Sequence, residues 1–570
     1  MREEADGRRR AEQQQQVERL GPHRDGDRPR RRPHGPHDAA HREDCREGVR
    51  TGARARRERD EQGQQHTAGR PPQGRVARGV ERGPGDGARV ERRLLDRDRA
   101  RRRDRRVGGR DRLHRLRDLV PHDPLLHHRS IASRRETTVA RVTTRTSSDD
   151  QPHVTPPPVR AAAPVPRDVV VVGAGLAATQ TVAALRERGF DGRVVVLGAE
   201  GVAPYDRPPL SKHLLDRPGP TWLTDEIGTD VTVLADEVHL DRPARGLRVD
   251  AAGVAVGTDT GEVTADAVVV ASGARAVRPA GWEAALTLHT AADADRLRAT
   301  VGPGRRLVVV GAGWIGAEVA GVVAAAGGEV TVVEAAASPL SVALGTAVGA
   351  LTVPWYARAG VRLVTGAQVV EVRPDAVRLA DGTVLAADAV LAAVGARPAT
   401  AWLGDALPRE PDGSLRVDAS LAVVGAPRHV RAVGDVALRR SARHGWVPGG
   451  HWDGALRTPA ALAADLVGDP APAEDVAPYV FSTQLGHELA LFGLPGAADD
   501  VELRGDPADD AGWTALWFRP GTGTCTAVLT VDRPRDVGAA RRLFAGAALP
   551  RLDRGLARDA GRALREAALA

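Results

Sequence analysis

Two glycine-rich segments, residues 173–178 and 311–316, have the spacing that brings a pyrophosphate to the start of a helix. In this pattern the first glycine permits a tight turn, the second lets the backbone approach the phosphates, and the third small residue brings helix and strand together. The matching residues are Gly173, Gly175 and Ala178 in the first segment and Gly311, Gly313 and Gly316 in the second. Two such segments in one chain predict two bound dinucleotides and electron transfer between them.

An acidic residue follows each glycine-rich segment, at about the position where the next strand is expected to end. Glu200 lies 27 residues after Gly173, and Glu334 lies 23 residues after Gly311. A carboxylate there accepts hydrogen bonds from a ribose diol and repels a 2′-phosphate. Residues 335–338, Ala-Ala-Ala-Ser, offer no arginine to bind such a phosphate. The second segment therefore favours NADH over NADPH, and an ordinary strand-end glutamate is the alternative interpretation.

Residues 204–212, Pro-Tyr-Asp-Arg-Pro-Pro-Leu-Ser-Lys, contain Lys212, which is the only lysine among the 81 basic Lys and Arg residues of the sequence. One lysine kept where arginine is used everywhere else indicates a site that needs a compact ammonium instead of a planar guanidinium. A surface lysine without a role is the alternative.

The elements that would position these residues alternate between strand and helix. The predicted units are strand 168–172, helix 176–188 and strand 193–197, then a strand from Arg306, helix 315–326 and strand 329–333. Such units build parallel sheets covered by helices. Short strands are predicted within residues 247–270 and 361–391, and strands 488–492, 513–518 and 525–531 before a C-terminal helical region. The predicted fold class is α/β, with two Rossmann-like dinucleotide-binding domains and a C-terminal α+β domain.

The N-terminal part of the chain differs in composition from the rest. Residues 1–150 hold 40 of the 81 basic and 26 of the 74 acidic residues, which leaves a net charge of −7 beyond them. The first aromatic residue is Phe190. A long segment without aromatics cannot bury enough apolar surface to fold, so residues 1–165 are predicted to be disordered. A nucleic-acid-binding arm, a tail without function and an extension outside the working protein all remain open. The last of these is favoured. Acidic residues interrupt the arginines, which argues against a nucleic-acid-binding arm, so no nucleic-acid partner is predicted.

The cysteines narrow the chemistry further. Cys45 and Cys525 are the two cysteines, and no C-x-x-C motif occurs, so neither a redox dithiol nor a zinc site is predicted. No uncharged apolar stretch of about 20 residues and no signal-peptide pattern is found. The expectation is a cytoplasmic protein without a metal site or a membrane span.

In chain order, several motifs resemble one family. They are G-A-G-L-A-A at 173–178, G-A-E at 198–200, the segment 204–212, G-A-G-W-I-G-A-E-V-A at 311–320, V-R-A-V-G-D-V-A at 430–437 and H-W at 451–452. Over about residues 167–543 the chain is similar to the FAD-dependent, NADH-oxidising ferredoxin reductases of putidaredoxin-reductase type, which serve cytochrome P450 and ring-hydroxylating oxygenase systems. The resemblance implies an FAD-binding domain at 166–277 and 399–472, an NAD-binding domain at 278–398 and a C-terminal domain at 473–570.

The resemblance also implies residue roles. For FAD these are Gly173, Gly175 and Ala178 at the pyrophosphate, Glu200 at the ribose with Arg207 nearby, Val238 at the adenine, Asp435 at the ribityl chain or phosphate, and Trp452 at the flavin pyrimidine edge. For NADH they are Gly311, Gly313, Ile315, Gly316, Glu334 and, at the nicotinamide end, Gly395. Lys212 would lie beside the isoalloxazine and pair with Glu318. This pair would position the nicotinamide for hydride transfer, although an acid in a first helical turn also suits the helix dipole.

The family resemblance implies a small 2Fe–2S ferredoxin as the electron acceptor and leaves the oligomeric state open. Candidate docking residues are Arg533, Arg535, Arg541 and Arg542, which could equally form a solvated helix end. A disulfide or peroxide reductase would need a cysteine near the flavin, and none lies between Gly173 and Asp435. A nitrite-reductase-like flavoprotein and a signalling flavoprotein resembling apoptosis-inducing factor also remain open.

Three places depart from the family pattern. His289 stands in Leu-His-Thr where the family usually has Leu-Arg-Thr, and Gly450 stands where an acid commonly precedes His-Trp. Phe-Ser-Thr-Gln at residues 481–484 replaces Trp-Ser-Asp-Gln. We expect these changes to affect flavin affinity, redox potential and partner docking.

Overall fold

The structure is a computed structural model that describes residues 165–251, 253–469, 474–509 and 511–569. The extension predicted to be disordered, residues 1–165, lies outside these ranges except for its last residue. Within the described ranges the chain forms two parallel sheets, one antiparallel sheet and several smaller sheets.

The first glycine segment follows the central strand of a sheet in which the described strands are all parallel. Their order is Val430–Ala432, Ala267–Val270, Asp168–Val172, Arg193–Leu197 and Glu237–His239. Val170 at the centre pairs with Val195 on one side and Val268 on the other. Alternate residues of the central strand point to opposite faces, yet Val169 to Val171 are all fully buried. Both faces are therefore covered, which explains the unbroken valine run.

The second glycine segment follows a central strand in the same way. The order in this parallel sheet is Arg362–Val364, Glu329–Val333, Arg306–Val310 and Ala389–Ala392. Two antiparallel three-stranded sheets accompany the parallel ones, Ala244–Val249 with Val254–Thr258 and Gly261–Ala265, and Val369–Val372 with Ala376–Leu379 and Val384–Ala386. They confirm the short strands predicted within residues 247–270 and 361–391.

The remaining small sheets lie around the two parallel ones. They are Tyr205–Asp206 with Thr221–Trp222, Ala274–Ala276 with Ala396–Pro398, and Leu415–Val417 with Ala437–Ser441 and Gly445–Val447. The ribbon of Ala274–Ala276 and Ala396–Pro398 is antiparallel. The two strands of this ribbon lie next to the two points, near residues 277 and 398, at which the resemblance implies that the chain passes between the FAD-binding and NAD-binding domains.

Each parallel sheet has a helix directly after its glycine turn, which we call the first glycine helix (Leu176–Glu187) and the second glycine helix (Trp314–Ala325). Both end one residue earlier than predicted because Arg188 and Ala326 are caps with a ψ of 7°. The other helices are Pro209–Lys212, Leu223–Glu226, Val231–Leu234, Ala291–Thr300, Ser341–Leu344, Thr346–Ala350, Val353–Arg358, Trp452–Arg457, Pro459–Leu466, Pro534–Leu543 and Arg554–Arg558, with 3₁₀ turns at Ala401–Leu403, Gly434–Val436 and Leu564–Ala567.

The C-terminal part forms an antiparallel sheet. Its described strands lie in the order Tyr479–Gln484, His487–Gly493, Cys525–Val531, Trp513–Phe518 and Asp500–Arg504. The sequence prediction missed the two outer strands, Tyr479–Gln484 and Asp500–Arg504. Leu485 and Gly486, with φ of 52° and 86°, form the two-residue turn of the first hairpin.

The hairpin turn packs directly on the second glycine helix. A Cβ at Gly321 of that helix would lie 2.8 Å from the backbone nitrogen of Leu485, so a larger residue would push the two elements apart. This contact brings the strand Tyr479–Gln484 next to Glu318 of the same helix. Because the helix begins at Trp314, Glu318 lies just past the first turn in which it was predicted. The predicted fold class is confirmed, and among the described helices none is long and apolar enough to cross a membrane.

Candidate functional site

A cavity of about 550 Å³ lies where the first glycine turn, the segment 204–212 and the strand Tyr479–Gln484 meet. Sequence-predicted site residues that line it are Gly173, Gly175, Glu200, Arg207, Lys212, Ile315, Glu318, Asp435 and Trp452. Those outside its lining are Ala178, Val238, Gly311, Gly313, Gly316, Glu334 and Gly395. The structure therefore brings most of the expected FAD residues and the expected catalytic pair to one cavity.

The first glycine turn is shaped to leave room beside its backbone. Gly173 has a φ of 121°, and a Cβ there would lie 2.1 Å from the carbonyl oxygen of Ala271 on the neighbouring strand passage. A Cβ at Gly175 would meet no atom within 4 Å, so this backbone is open towards the cavity. Ala178 is fully buried and lets the helix pack closely. The turn can thus approach a pyrophosphate.

Glu200 is held in place by two side chains from the segment 204–212. Arg207 donates from Nη2 to Glu200 Oε1 at 2.6 Å, and the Tyr205 hydroxyl donates to the other carboxylate oxygen of Glu200. Burial raises the pKa of Tyr205 to about 12, so its hydroxyl remains a donor. Arg207 also donates to the carbonyl oxygen of His289 at 2.6 Å. Sequence reasoning missed Tyr205, although it stands in the motif that carries the resemblance.

The region around Trp452 carries several polar groups that face the cavity. The indole Nε1 of Trp452 donates to Asp206 Oδ1 at 2.7 Å. Burial raises the pKa of Asp206, and the indole hydrogen bond opposes that rise. The backbone N–H of Gly450 donates to Asp435 Oδ1 at 3.2 Å.

Both ring nitrogens of His451 are buried and have no hydrogen-bond partner in the described protein. His451 also lines the cavity, so a polar ligand there would satisfy atoms that the protein leaves unpaired. The open backbone of Gly175, the size of the cavity and these unpaired nitrogens fit a flavin dinucleotide. FAD is therefore a suitable occupant of this cavity.

His289 lines the same cavity at the place where the family usually has arginine. Burial lowers its pKa, and the charge of Arg207 lowers it further, while the acids Asp435, Glu200 and Asp293 act in the opposite direction. A neutral imidazole therefore replaces a permanent positive charge near the cavity wall. The neighbouring guanidinium of Arg207 does not replace that charge, because it is already committed to Glu200 and to the carbonyl of His289.

Lys212 and Glu318 form an ion pair of 2.8 Å between Nζ and Oε1 at the edge of the cavity. Their side chains are 13% and 3% exposed, so this is a buried pair. Ser211 donates to the second carboxylate oxygen of Glu318, and Ser482 donates to Oε1 at 2.5 Å. The ammonium also lies 5.0 Å from the centre of the Phe481 ring. Sequence reasoning missed both serines.

The second glycine turn is organised by Glu334. Its carboxylate accepts hydrogen bonds from the backbone N–H of Ala312 at 2.7 Å and of Ala336 at 2.8 Å. A Cβ at Gly313 or at Gly395 would meet nothing within 4 Å, so both glycines border open space. Ile315, 42% exposed, lies at the start of the helix between this turn and the cavity. The turn therefore has the open backbone that a second dinucleotide would need.

Val238 lies in the strand Glu237–His239, where it packs against the core of the first sheet. It pairs with Val196, and nothing in its surroundings distinguishes an adenine contact from a core residue. Cys525 is fully buried in the C-terminal core, and burial raises its thiol pKa to about 12. The cavity lining contains no cysteine among the described residues, so the protein places no thiol next to the candidate flavin site. A search of the same residues finds no group of side chains that could hold a metal ion.

Comparison with known proteins agrees with this geometry. The pyridine nucleotide-disulphide oxidoreductase model matches residues 167–457, and the reductase C-terminal model matches residues 479–568. The ferredoxin–NAD(+) reductase component of the anthranilate 1,2-dioxygenase system of Burkholderia cepacia is 35% identical over 407 residues, which is 67% of this chain and 95% of the relative.

Two solved structures are similar over a comparable share of the chain. The crystal structure of Fdr9 has a TM-score of 0.64 and 38% identity over 70% of this chain and 99% of its own. A chain of the covalent putidaredoxin reductase–putidaredoxin complex has a TM-score of 0.64 and 27% identity over 70% and 97%, respectively.

Proposed function

Because the chain belongs to the ferredoxin–NAD(+) reductases of the pyridine nucleotide-disulphide oxidoreductase family, we propose that it transfers hydride from NADH to FAD and then single electrons to a small 2Fe–2S ferredoxin. The observation that carries this proposal is the buried Lys212–Glu318 pair at the edge of the cavity. The relatives named for dioxygenase systems support an oxygenase as the final electron acceptor. The similar proteins are ferredoxin reductases, and so they do not favour a nitrite-reductase-like or a signalling flavoprotein.

In this proposal the protein binds and orients, and the cofactors supply the redox chemistry. Bound FAD would supply the conversion between a two-electron donor and a one-electron acceptor. Lys212 would place its ammonium beside the isoalloxazine, where a positive charge stabilises negative charge that develops during reduction. Glu318, which lies in the helix that follows the NADH turn, fixes that ammonium. The absence of a thiol from the cavity lining of the described chain supports an acceptor on another protein.

The remaining binding roles are part of the same proposal. FAD would be held by Gly173, Gly175, Ala178, Glu200, Arg207, Val238, Asp435 and Trp452, and NADH by Gly311, Gly313, Ile315, Gly316, Glu334 and Gly395. We place the FAD domain at residues 166–277 and 399–472, the NAD domain at 278–398 and the C-terminal domain at 473–570. A cytoplasmic location is proposed because NADH is a cytoplasmic coenzyme, and cell fractionation would test it.

The ferredoxin would dock near the helix Pro534–Leu543. Arg535, Arg541 and Arg542 are exposed on this helix, and Arg541 lies over the ring of Tyr479 at 5.3 Å from its centre. Arg533 is paired with Asp536 at 2.9 Å and belongs to the helix start instead. Exchanging the three exposed arginines for glutamine should raise the KM for ferredoxin and reduce its dependence on salt, whereas Arg533→Gln should not.

The function is tested with purified protein reconstituted with FAD. The protein should bind FAD, the flavin should be bleached by NADH without oxygen, and NADH should drive cytochrome c reduction when a 2Fe–2S ferredoxin is added. Omitting the ferredoxin should abolish most of the cytochrome c reduction. A protein that cannot bind FAD, or whose flavin NADH does not reduce, would contradict the proposal.

A further inference from the structure

The Glu318 carboxylate is the point at which three separate parts of the chain meet. Glu318 itself is in the second glycine helix, Ser211 and Lys212 come from the helix Pro209–Lys212, and Ser482 comes from the strand Tyr479–Gln484. Each of the other three residues donates a hydrogen bond to the carboxylate. A carboxylate that is 3% exposed depends on such donors in place of water.

The surroundings of Ser482 direct its hydroxyl proton to the Glu318 carboxylate. The residue is 1% exposed, and the side-chain amide of Gln484 donates to Ser482 Oγ at 3.3 Å. Because the serine oxygen accepts from this amide, its own proton is directed to Glu318 Oε1, 2.5 Å away. Oε1 is the same oxygen that accepts from Lys212.

The residue before Ser482 acts on the lysine directly. The ring of Phe481 faces the Lys212 ammonium at 5.0 Å and meets the indole of Trp452 edge-on at 6.1 Å. One strand of the C-terminal sheet therefore contacts both members of the ion pair. Its position is fixed by the close packing of Leu485 on Gly321.

We infer that Ser482 is a positioning residue for hydride transfer: through Glu318 Oε1 it holds the Lys212 ammonium at the flavin, and so the C-terminal sheet takes part in oxidation of NADH. This inference rests on the proposed function. It predicts that loss of one hydroxyl, on a strand outside both dinucleotide-binding sheets, slows flavin reduction while the binding of both cofactors stays intact.

The experiment compares the FAD-loaded full chain with its Ser482→Ala and Thr483→Ala variants in anaerobic stopped flow. Thr483 is the matched control, because it is the next residue of the same strand, is exposed, and directs its hydroxyl to Glu488 at 3.0 Å and away from the ion pair. Ser482→Ala should lower the limiting rate of flavin reduction by about 10- to 100-fold, the loss expected for one hydrogen bond to a charge. The Kd for NADH and the FAD content should change less than about twofold.

Further readouts separate positioning from a purely structural role. The flavin midpoint potential in Ser482→Ala should shift to more negative values, in the direction of Lys212→Ala and by less. In a Glu318→Gln background the effect of Ser482→Ala should shrink. If Ser482→Ala does not retain FAD, Ser482→Cys keeps the volume with a weaker donor and should give an intermediate rate.

The outcomes of this experiment are distinct. Wild-type flavin that NADH does not reduce would contradict the proposed function itself. If the wild-type flavin is reduced and the flavin of Ser482→Ala is reduced equally fast, the inference about Ser482 alone is overturned. Where Ser482→Ala does not retain FAD, an equally fast Ser482→Cys overturns it in the same way. An equal loss in Thr483→Ala would also overturn it, because the effect would then belong to the strand as a whole.

Discussion

The indole of Trp452 donates a 2.7 Å hydrogen bond to the carboxylate of Asp206, a residue 246 positions earlier in the chain. Asp206 belongs to the segment that also carries Arg207 and Lys212, so this bond ties the lysine segment to the start of the helix Trp452–Arg457. Both residues line the cavity assigned to FAD. This end of the cavity is therefore assembled by a contact between distant parts of the chain.

The first prediction concerns this pair. Burial raises the pKa of Asp206, so the group stabilises the fold most below its unfolded value of 3.8, and that contribution is lost as pH rises through the folded value. Asp206→Asn keeps an acceptor for the indole and should flatten the decline of unfolding free energy above about pH 4. Asp206→Ala loses the bond and should lower the free energy of unfolding by about 1–3 kcal/mol. Chemical denaturation across this pH range measures both, and identical curves for the two variants would contradict the assignment.

The second prediction concerns the buried ion pair. Lys212→Ala and Glu318→Gln should each slow flavin reduction by NADH by about 10²-fold, because a small displacement of a positioned group costs that much. FAD affinity should change much less. The double variant should be little slower than either single one, since the two residues act as a unit. Stopped-flow rates decide this, and fully additive losses would show that the two residues work independently.

The two parallel sheets could be predicted because their signals are local in the sequence. These signals are the runs of valine, the glycine turns and the acidic residue that follows the second strand of each unit. Buried strands such as Asp168–Val172 and Glu329–Val333 have their predicted ends. The strand Tyr479–Gln484 escapes prediction because it lies at the edge of its sheet and shows no clear alternation. Its Ser482 meets Glu318 across 164 positions, a contact that no local pattern encodes. The one signal in the sequence is that residues 481–484 differ from the family pattern. This difference marks the segment as unusual, but it does not predict the contact of Ser482 with Glu318.

The third prediction tests the choice of nicotinamide cofactor. Glu334 fixes the second glycine turn through the N–H groups of Ala312 and Ala336, and its charge would repel a 2′-phosphate. Glu334→Ala should raise the KM for NADH by about tenfold and narrow the preference for NADH over NADPH. Glu329, exposed at the other end of the same strand, provides the matched control. Steady-state kinetics with both coenzymes measures the ratio, and an unchanged ratio in Glu334→Ala would contradict the role of this carboxylate.

The fourth prediction concerns His289, which lines the cavity beside Arg207. Its pKa is lowered chiefly by burial and also by the Arg207 charge, so the imidazole is neutral at neutral pH and gains a proton only in acid. A protonated imidazole favours the anionic pyrophosphate, and so FAD should bind more tightly as pH falls through the pKa of His289. We expect a gain of about 3- to 10-fold in affinity as the pH falls from neutral to below the pKa of His289, which itself lies below the ordinary value of 6.5. His289→Gln should abolish this pH dependence, His289→Arg should bind FAD tightly on both sides of that pKa, and His213→Gln, a change at a more exposed histidine, should leave it unchanged. Titration of the apoprotein with FAD gives the affinities, and an equal pH response in His289→Gln would assign the effect to another group.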